Sequence, residues 1–294
     1  MFIGVTAYAD NGRPFIASPP MSDLTTFAAL LAARTREPGS ASVTFAIPED
    51  WQQGRTTFGG LIATLAVQAM RDVAGGAWDA GVALRALQVS FIGPVDKGPV
   101  RVDVQVLREG KSVRQVQALV VQGGQTAALL LGVFGAARET TVPVMAPQQP
   151  AVAKAPDDSL QLPFVPGVAP NFTQHFDFRW AEGRMPYTGV DSESSRMHLR
   201  LKSDPVDAEL LTVLLADTPP SPVISRFTRP TPASSVSWEL ELRPVIGAAQ
   251  GEAWWRVDTD VIAAAGGYVN QVTKLWTPGG ELASIGYQVV AVYG

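Results

Sequence analysis

The sequence predicts an α+β protein made of one unit used twice, each unit a helix followed by long antiparallel strands. Three observations carry this. A helix-compatible apolar run stands near the start of each half, at residues 55–73 and 206–216. Four strand-like runs separated by turn residues follow each of them. Between the halves lies a stretch with prolines at 143, 147, 150, 156, 163, 166 and 170, which removes backbone donors and blocks regular structure.

In the first half, residues 55–73 (RTTFGGLIATLAVQAMRDV) open on Gly59-Gly60, run apolar at helical spacing and stop at Gly75-Gly76. Strands are expected over 83–92, 100–108, 112–122 and 125–136, with turns at Gly93-Pro94, Lys97-Gly98, Glu109-Gly110 and Gly123-Gly124. The second half repeats the pattern. VDAELLTVLLA (206–216) reads as a helix stopped by Pro219-Pro220, and strands are expected over 234–242, 252–263, 267–276 and 282–293. Turns fall at Arg243-Pro244, Gly266-Gly267 and Pro278-Gly279-Gly280. Laying Gly123-Gly124 on Gly279-Gly280 pairs Ala127 with Ala283, Leu129 with Ile285 and Val133 with Val289, the signature of an internal duplication. The runs 118–121 and 127–134 are continuously apolar, which predicts strands covered on both faces. The organisation expected is a first unit over 22–137, a Pro-rich linker over 138–170 and a second unit over 171–294.

Composition narrows the function. With 27 Asp/Glu against 23 Lys/Arg the chain is net acidic, which argues against nucleic-acid binding. There is no cysteine, so disulfides, thiolate metal sites and cysteine nucleophiles are excluded together. Two histidines, His175 and His198, leave little scope for a histidine metal centre or a histidine-dependent triad, and both read as structural or surface residues. The longest apolar run, residues 127–137, is half the length of a membrane span. Residues 1–20 lack a basic start and apolar core, so they read as ordinary chain and the expected location is the cytoplasm. No phosphate-binding or dinucleotide-binding glycine pattern is present, and no cofactor or metal is expected.

Three groups of residues together resemble the acyl-CoA thioesterases of the thioesterase II (TesB-like) type. These are RTTFGGLIATLAVQAM (55–70), LQVSFIGPVDKGPVRVDVQVLREGKSVRQVQALVVQGGQ (87–125), and LLADTPPSP, SSVSWELELRP and GGELASIGYQV in the second half. The resemblance implies a double hotdog: two copies of a long helix wrapped by a curved antiparallel β-sheet, the sheets joined edge to edge. It also implies hydrolysis of acyl-CoA to acid and CoA without a cofactor, and a catalytic set falling on Asp217, Ser234 and Gln288. Ser235, beside Ser234, is the alternative hydroxyl. Two departures stand out. The hydroxyl is a serine where a threonine is also used, and Pro219-Pro220 follows Asp217 where the family's helix continues.

The chemistry suits these residues. A thioester leaves as a thiolate, whose conjugate acid has a pKa near ~8.5, so general-acid help is dispensable. What is needed is an activated water and a stabilised oxyanion. Asp217 follows an apolar run near a helix C-terminus, where burial and the negative dipole end both push a carboxyl pKa upward. An exposed helix-end Asp would read the same way. Gln288 interrupts an apolar last strand, while the position 156 residues earlier is Gly132; this favours one active site per chain, although an amide on the open face of an edge strand is the plainer reading. Gly59 and Gly60 offer backbone N–H groups at the positive end of a helix as oxyanion or substrate-binding donors. Arg55, Lys111 and Arg114 read as a solvated face before CoA-phosphate ligands, and Trp238, Trp254, Trp255 and Trp276 as sheet packing. The function expected is an acyl-CoA thioesterase. The alternative is a non-catalytic acyl-CoA or fatty-acyl binding protein on the same scaffold. A hydratase is disfavoured because the histidines sit in the wrong context. Exposed strand edges favour a homodimer or higher homo-oligomer.

Overall fold

The computed structural model of the protein describes residues 24–202, 206–243, 245, 248–249 and 253–294. The reading of residues 1–20, the first two residues of the expected unit 22–137, the turn residue Pro244 and the first residue of the strand expected over 252–263 lie outside the described residues.

A short helix α1 (Phe27–Ala32), capped by the Thr26 hydroxyl, precedes strand β1 (Ser42–Ile47). The two-residue strands β2 (Gln52–Gln53) and β3 (Thr56–Thr57) pair with each other and lead into helix α2 (Gly59–Ala74). Strands β4 (Ala83–Phe91), β5 (Gly98–Glu109), β6 (Val113–Gln122) and β7 (Gln125–Gly135) complete the first half. The second holds β8 (Leu160–Leu162), β9 (Phe176–Gly183), β10 (Ser194–Leu201), β11 (Val206–Asp207) and helix α3 (Ala208–Ala216). It ends with β12 (Ala233–Leu242), β13 (Ala248–Ala249), β14 (Trp255–Ala265), β15 (Tyr268–Trp276) and β16 (Leu282–Val292).

Twelve of these strands form one antiparallel sheet. The first half is ordered β1-β5-β6-β7-β4 and the second β12-β16-β15-β14-β10, with β9 and β8 extending the far edge. Each half thus repeats the same internal order, and β4 pairs with β12 where they meet, Val89 opposite Trp238 and Leu87 opposite Leu240. The two-residue turns Gly123-Gly124 and Gly266-Gly267 have positive φ at both positions, the geometry that tight hairpins require and that glycine adopts without strain.

α2 is buried along almost its whole length, from Gly60 to Met70, which is why its sequence is apolar on every side. α3 is different. It spans nine residues against sixteen for α2, so the expectation of two long helices is corrected to one. Asp207 caps its start, its carboxylate accepting from the N–H groups of Glu209 and Leu210. Its end is set by Pro219-Pro220, since a proline pushes the residue before it out of helical conformation. The two helices run antiparallel: Arg71 late in α2 forms a bidentate pair with Glu209 at the start of α3, at 2.8 and 2.5 Å.

Two further expectations need correction. The continuously apolar strands are not covered on both faces. Inward residues such as Val120 and Leu130 are buried, but Leu129 on the outer face is 38% exposed and Leu131 and Val133 are half-buried. The Pro-rich stretch is more than a connection. β8 within it pairs with β9, and its carbonyls at Met145, Pro150 and Lys154 meet Arg243, Arg256 and His198 of the second half. Among the described residues no helix is long and apolar enough to cross a membrane.

Candidate active site

The C-terminus of α3 meets the N-terminus of α2, and Asp217, the residue that caps α3, lies at that junction. Gly59 and Gly60 make the approach possible. A Cβ at Gly59 would stand 2.8 Å from Asp217 Oδ2 and 3.1 Å from the ring of Phe91 on β4. A Cβ at Gly60 would stand 2.5 Å from the Phe58 ring and 3.0 Å from the Leu214 carbonyl oxygen. Any larger side chain would drive the helices apart.

Two amides and a hydroxyl complete the cluster. Gln288 Nε2 on β16 donates to Asp217 Oδ1 and to Ser235 Oγ on β12, both at 2.7 Å. Its Oε1 accepts from Gln271 Nε2 on β15, also at 2.7 Å. Burial raises the Asp217 carboxyl from its ordinary 3.8 to about 7, against the opposing pull of the Gln288 amide and the Gly60 N–H, both of which favour the charged form. Asp217, Gln288, Ser235 and Gly59 each keep some exposure, so the cluster is open to solvent on one side. A carboxyl that titrates near neutrality beside fixed donors is suited to taking a proton from water.

Of the residues singled out from the sequence, Asp217, Gln288, Gly59 and Gly60 come together here. Ser234 does not. It is exposed, and its Oγ reaches only the Ser235 carbonyl, at 3.4 Å. The cause is a β-bulge. Ser237 pairs with Val289 but Ser235 with Val290, so Val236 is an extra residue and the alternation slips by one. Counting back in twos from the inward Trp238 leads to Ser234, whereas the bulge turns Ser235 inward.

Gln271 was not anticipated. Counting outward from the hairpin turn at 277–281 would place it opposite Tyr287; a β-bulge between Leu275 and Trp276 shifts the pairing by one and sets it opposite Gln288, so the sequence carried no signal for it. The histidines lie elsewhere. His175 stacks on Trp51 with ring centroids 3.9 Å apart, its Nε2 3.3 Å from Asp50, and His198 Nε2 meets the Lys154 carbonyl at 3.0 Å. Arg114 lies over the Trp78 ring and pairs with Glu109, so it is not a free cation. Trp238, Trp255 and Trp276 are buried in the core. Among the described residues no group of three His, Cys, Asp or Glu is placed to hold a metal ion.

A wide antiparallel sheet packed on one central helix, with few other helices, is the hot dog fold. Solved structures agree. A conserved protein of unknown function with that fold from Alicyclobacillus acidocaldarius matches with a TM-score of 0.74 and 20% identity, over 90% of this chain and 97% of its own. The tesB protein of Mycobacterium avium subspecies paratuberculosis gives 0.71 and 18%, over 91% and 98%. An acyl-CoA thioesterase II, TesB2, from Mycobacterium marinum gives 0.68 and 17%, over 90% and 96%. The chain belongs to the acyl-CoA thioesterase family: the model of that family's N-terminal domain matches residues 47–135 and that of its C-terminal domain residues 153–292. It is therefore a thioester hydrolase. No curated protein matches the sequence.

Proposed function

We propose that the protein hydrolyses acyl-CoA at the junction of α2 and α3, with Asp217 as general base and Gln288 and Ser235 holding the cluster in register. A water bound between Asp217 and Ser235 attacks the thioester carbonyl carbon and gives its proton to Asp217. The carbonyl becomes a tetrahedral oxyanion beside the positive end of α2. Gly59 and Gly60 are the backbone donors assigned to that oxygen. Collapse breaks the C–S bond, and the departing CoA thiolate takes the proton from Asp217, returning the carboxylate. The two units are taken as 22–137 and 171–294 joined by 138–170, the first supplying the helix N-terminus and the second the carboxylate and amide.

The observation that carries this reading is the Asp217–Gln288–Ser235 cluster at 2.7 Å contacts against the two glycines. It is tested by following thiol release from a panel of short- to long-chain acyl-CoAs with the parent, Asp217→Asn and Gln288→Ala. The parent is expected to turn over at least one of them and both variants to be strongly impaired. Variants as fast as the parent would remove the assignment, and ligand binding by the parent without thiol release would select a binding protein instead.

A further inference from the structure

We propose that Gln271 is a positioning residue for the hydrolysis, acting by fixing which way round the Gln288 amide is held. The inference rests on the role given above to Asp217.

An amide side chain has a donor end and an acceptor end of nearly equal size, and it fits most cavities in either orientation. The Asp217 site is sensitive to that choice. With Nε2 toward the site, Gln288 donates to Asp217 Oδ1 and to Ser235 Oγ at once, which uses both of its N–H bonds. Reversed, it would set Oε1 against the carboxylate, two acceptors facing each other. The far side of the amide adds to that preference. There Gln271 Nε2 donates to Gln288 Oε1 at 2.7 Å, and among the described residues no other hydrogen bond to that oxygen is present. The β15–β16 register sets the two residues directly opposite each other, so the contact follows from strand pairing.

The fold does not need an amide at this place. The corresponding strand pair in the first half, β6 with β7, sets Val116 opposite Gly132, and that site is filled by Met70 and Phe134. Keeping Gln271 has a cost in stability, because the residue is only 3% exposed and its Oε1 has no hydrogen-bond partner among the described residues. A polar group retained at a cost, opposite the one amide that touches Asp217, marks a functional position. The groups that face Asp217 are the Gln288 amide of β16 and the Gly60 N–H of α2, with Phe91 of β4 beyond Gly59. None of them is charged. The state of Asp217 therefore follows the orientation of Gln288, to which the Gln271 donor contributes beside Ser235.

The test is Gln271→Met, which keeps the volume and removes the donor. Thiol release should show kcat lower by about tenfold to a hundredfold with KM within twofold, as expected for misplaced catalytic groups. The midpoint of the acid limb of the kcat/KM profile should move to higher pH, because the carboxylate has lost a donor; a merely structural role would leave it in place. In an Asp217→Asn background the same change should cost nothing more. A folded Gln271→Met with parental kcat and midpoint overturns the inference, as does an equal loss in the Asp217→Asn background. Should that variant not fold, Gln271→Asn, which keeps the amide but withdraws it by one methylene, is read by the same criteria. A fully active Asp217→Asn would instead bring down the proposed function, so the two failures are distinguishable.

Discussion

The antiparallel helices α2 and α3 meet at two ends, and the ends have been put to opposite uses. At one end Arg71 of α2 and Glu209 of α3 form a bidentate ion pair, with the Leu84 N–H also donating to Glu209 at 2.6 Å. Arg71 is further covered by the Phe134 ring, 4.9 Å from its guanidinium carbon. Every charge there is matched, the cation at a helix C-terminus and the anion at a helix N-terminus. At the other end the Asp217 carboxyl sits beside two glycines and an amide, with no cation opposite it among the described residues. The matched end is a clamp. The unmatched end holds a carboxyl that burial raises to about 7, whereas a full ion pair would have held it ionised and weakly basic.

The sharpest way to break this contrast is Asp217→Asn, expected to lower kcat/KM for thioester hydrolysis by about 10²–10⁴-fold while leaving the fold intact, as judged by circular dichroism and thiol release. The parent's kcat/KM should itself rise with pH through a midpoint of about 7, the value to which burial raises Asp217, as the carboxylate forms. The stability effect has the opposite sign. Between the unfolded value of 3.8 and the folded value of about 7 the native state holds a proton that the unfolded chain has lost. Denaturant unfolding should therefore show stability from this group falling as pH rises across that window, with the slope absent in Asp217→Asn.

At the clamped end, Glu209→Gln should destabilise the protein by about 1–3 kcal/mol, since it leaves Arg71 without its partner in a partly buried place. Activity per folded molecule should stay within twofold, and a large loss of kcat would show that the ends are not independent. The smallest contrast is between neighbouring hydroxyls. Ser235→Ala should slow thiol release several-fold, of the order expected when one positioned hydrogen bond is lost, whereas Ser234→Ala should match the parent.

Much of this architecture is legible in the linear pattern. The apolar run after Gly59-Gly60, the paired glycines at 123–124 and 266–267, and the recurrence at an interval of 156 all report local physics: helical spacing, positive φ and repeated strand length. Asp217 and Gln288 were singled out by the family resemblance, and each is a polar group set in or at the end of an apolar element. The helix read over 206–216 stands at Ala208–Ala216; what did not hold is the second long helix that the family resemblance implied, which Pro219-Pro220 cut short. The outer faces of β6 and β7 were read as covered because an apolar side chain carries no sign of what lies against it.

The amino-acid order alone thus determined a duplicated helix-and-strand unit, because that depends on neighbours in the chain. Only the tertiary structure decided that Ser235 and not Ser234 faces inward, that Asp217 and Leu214 pack against Gly59 and Gly60, and that Gln271 backs Gln288. Each of these turns on a single residue of strand register or on an approach between helices about 150 residues apart in sequence. A one-residue slip reverses every side chain on a strand, and no local preference in the sequence records it.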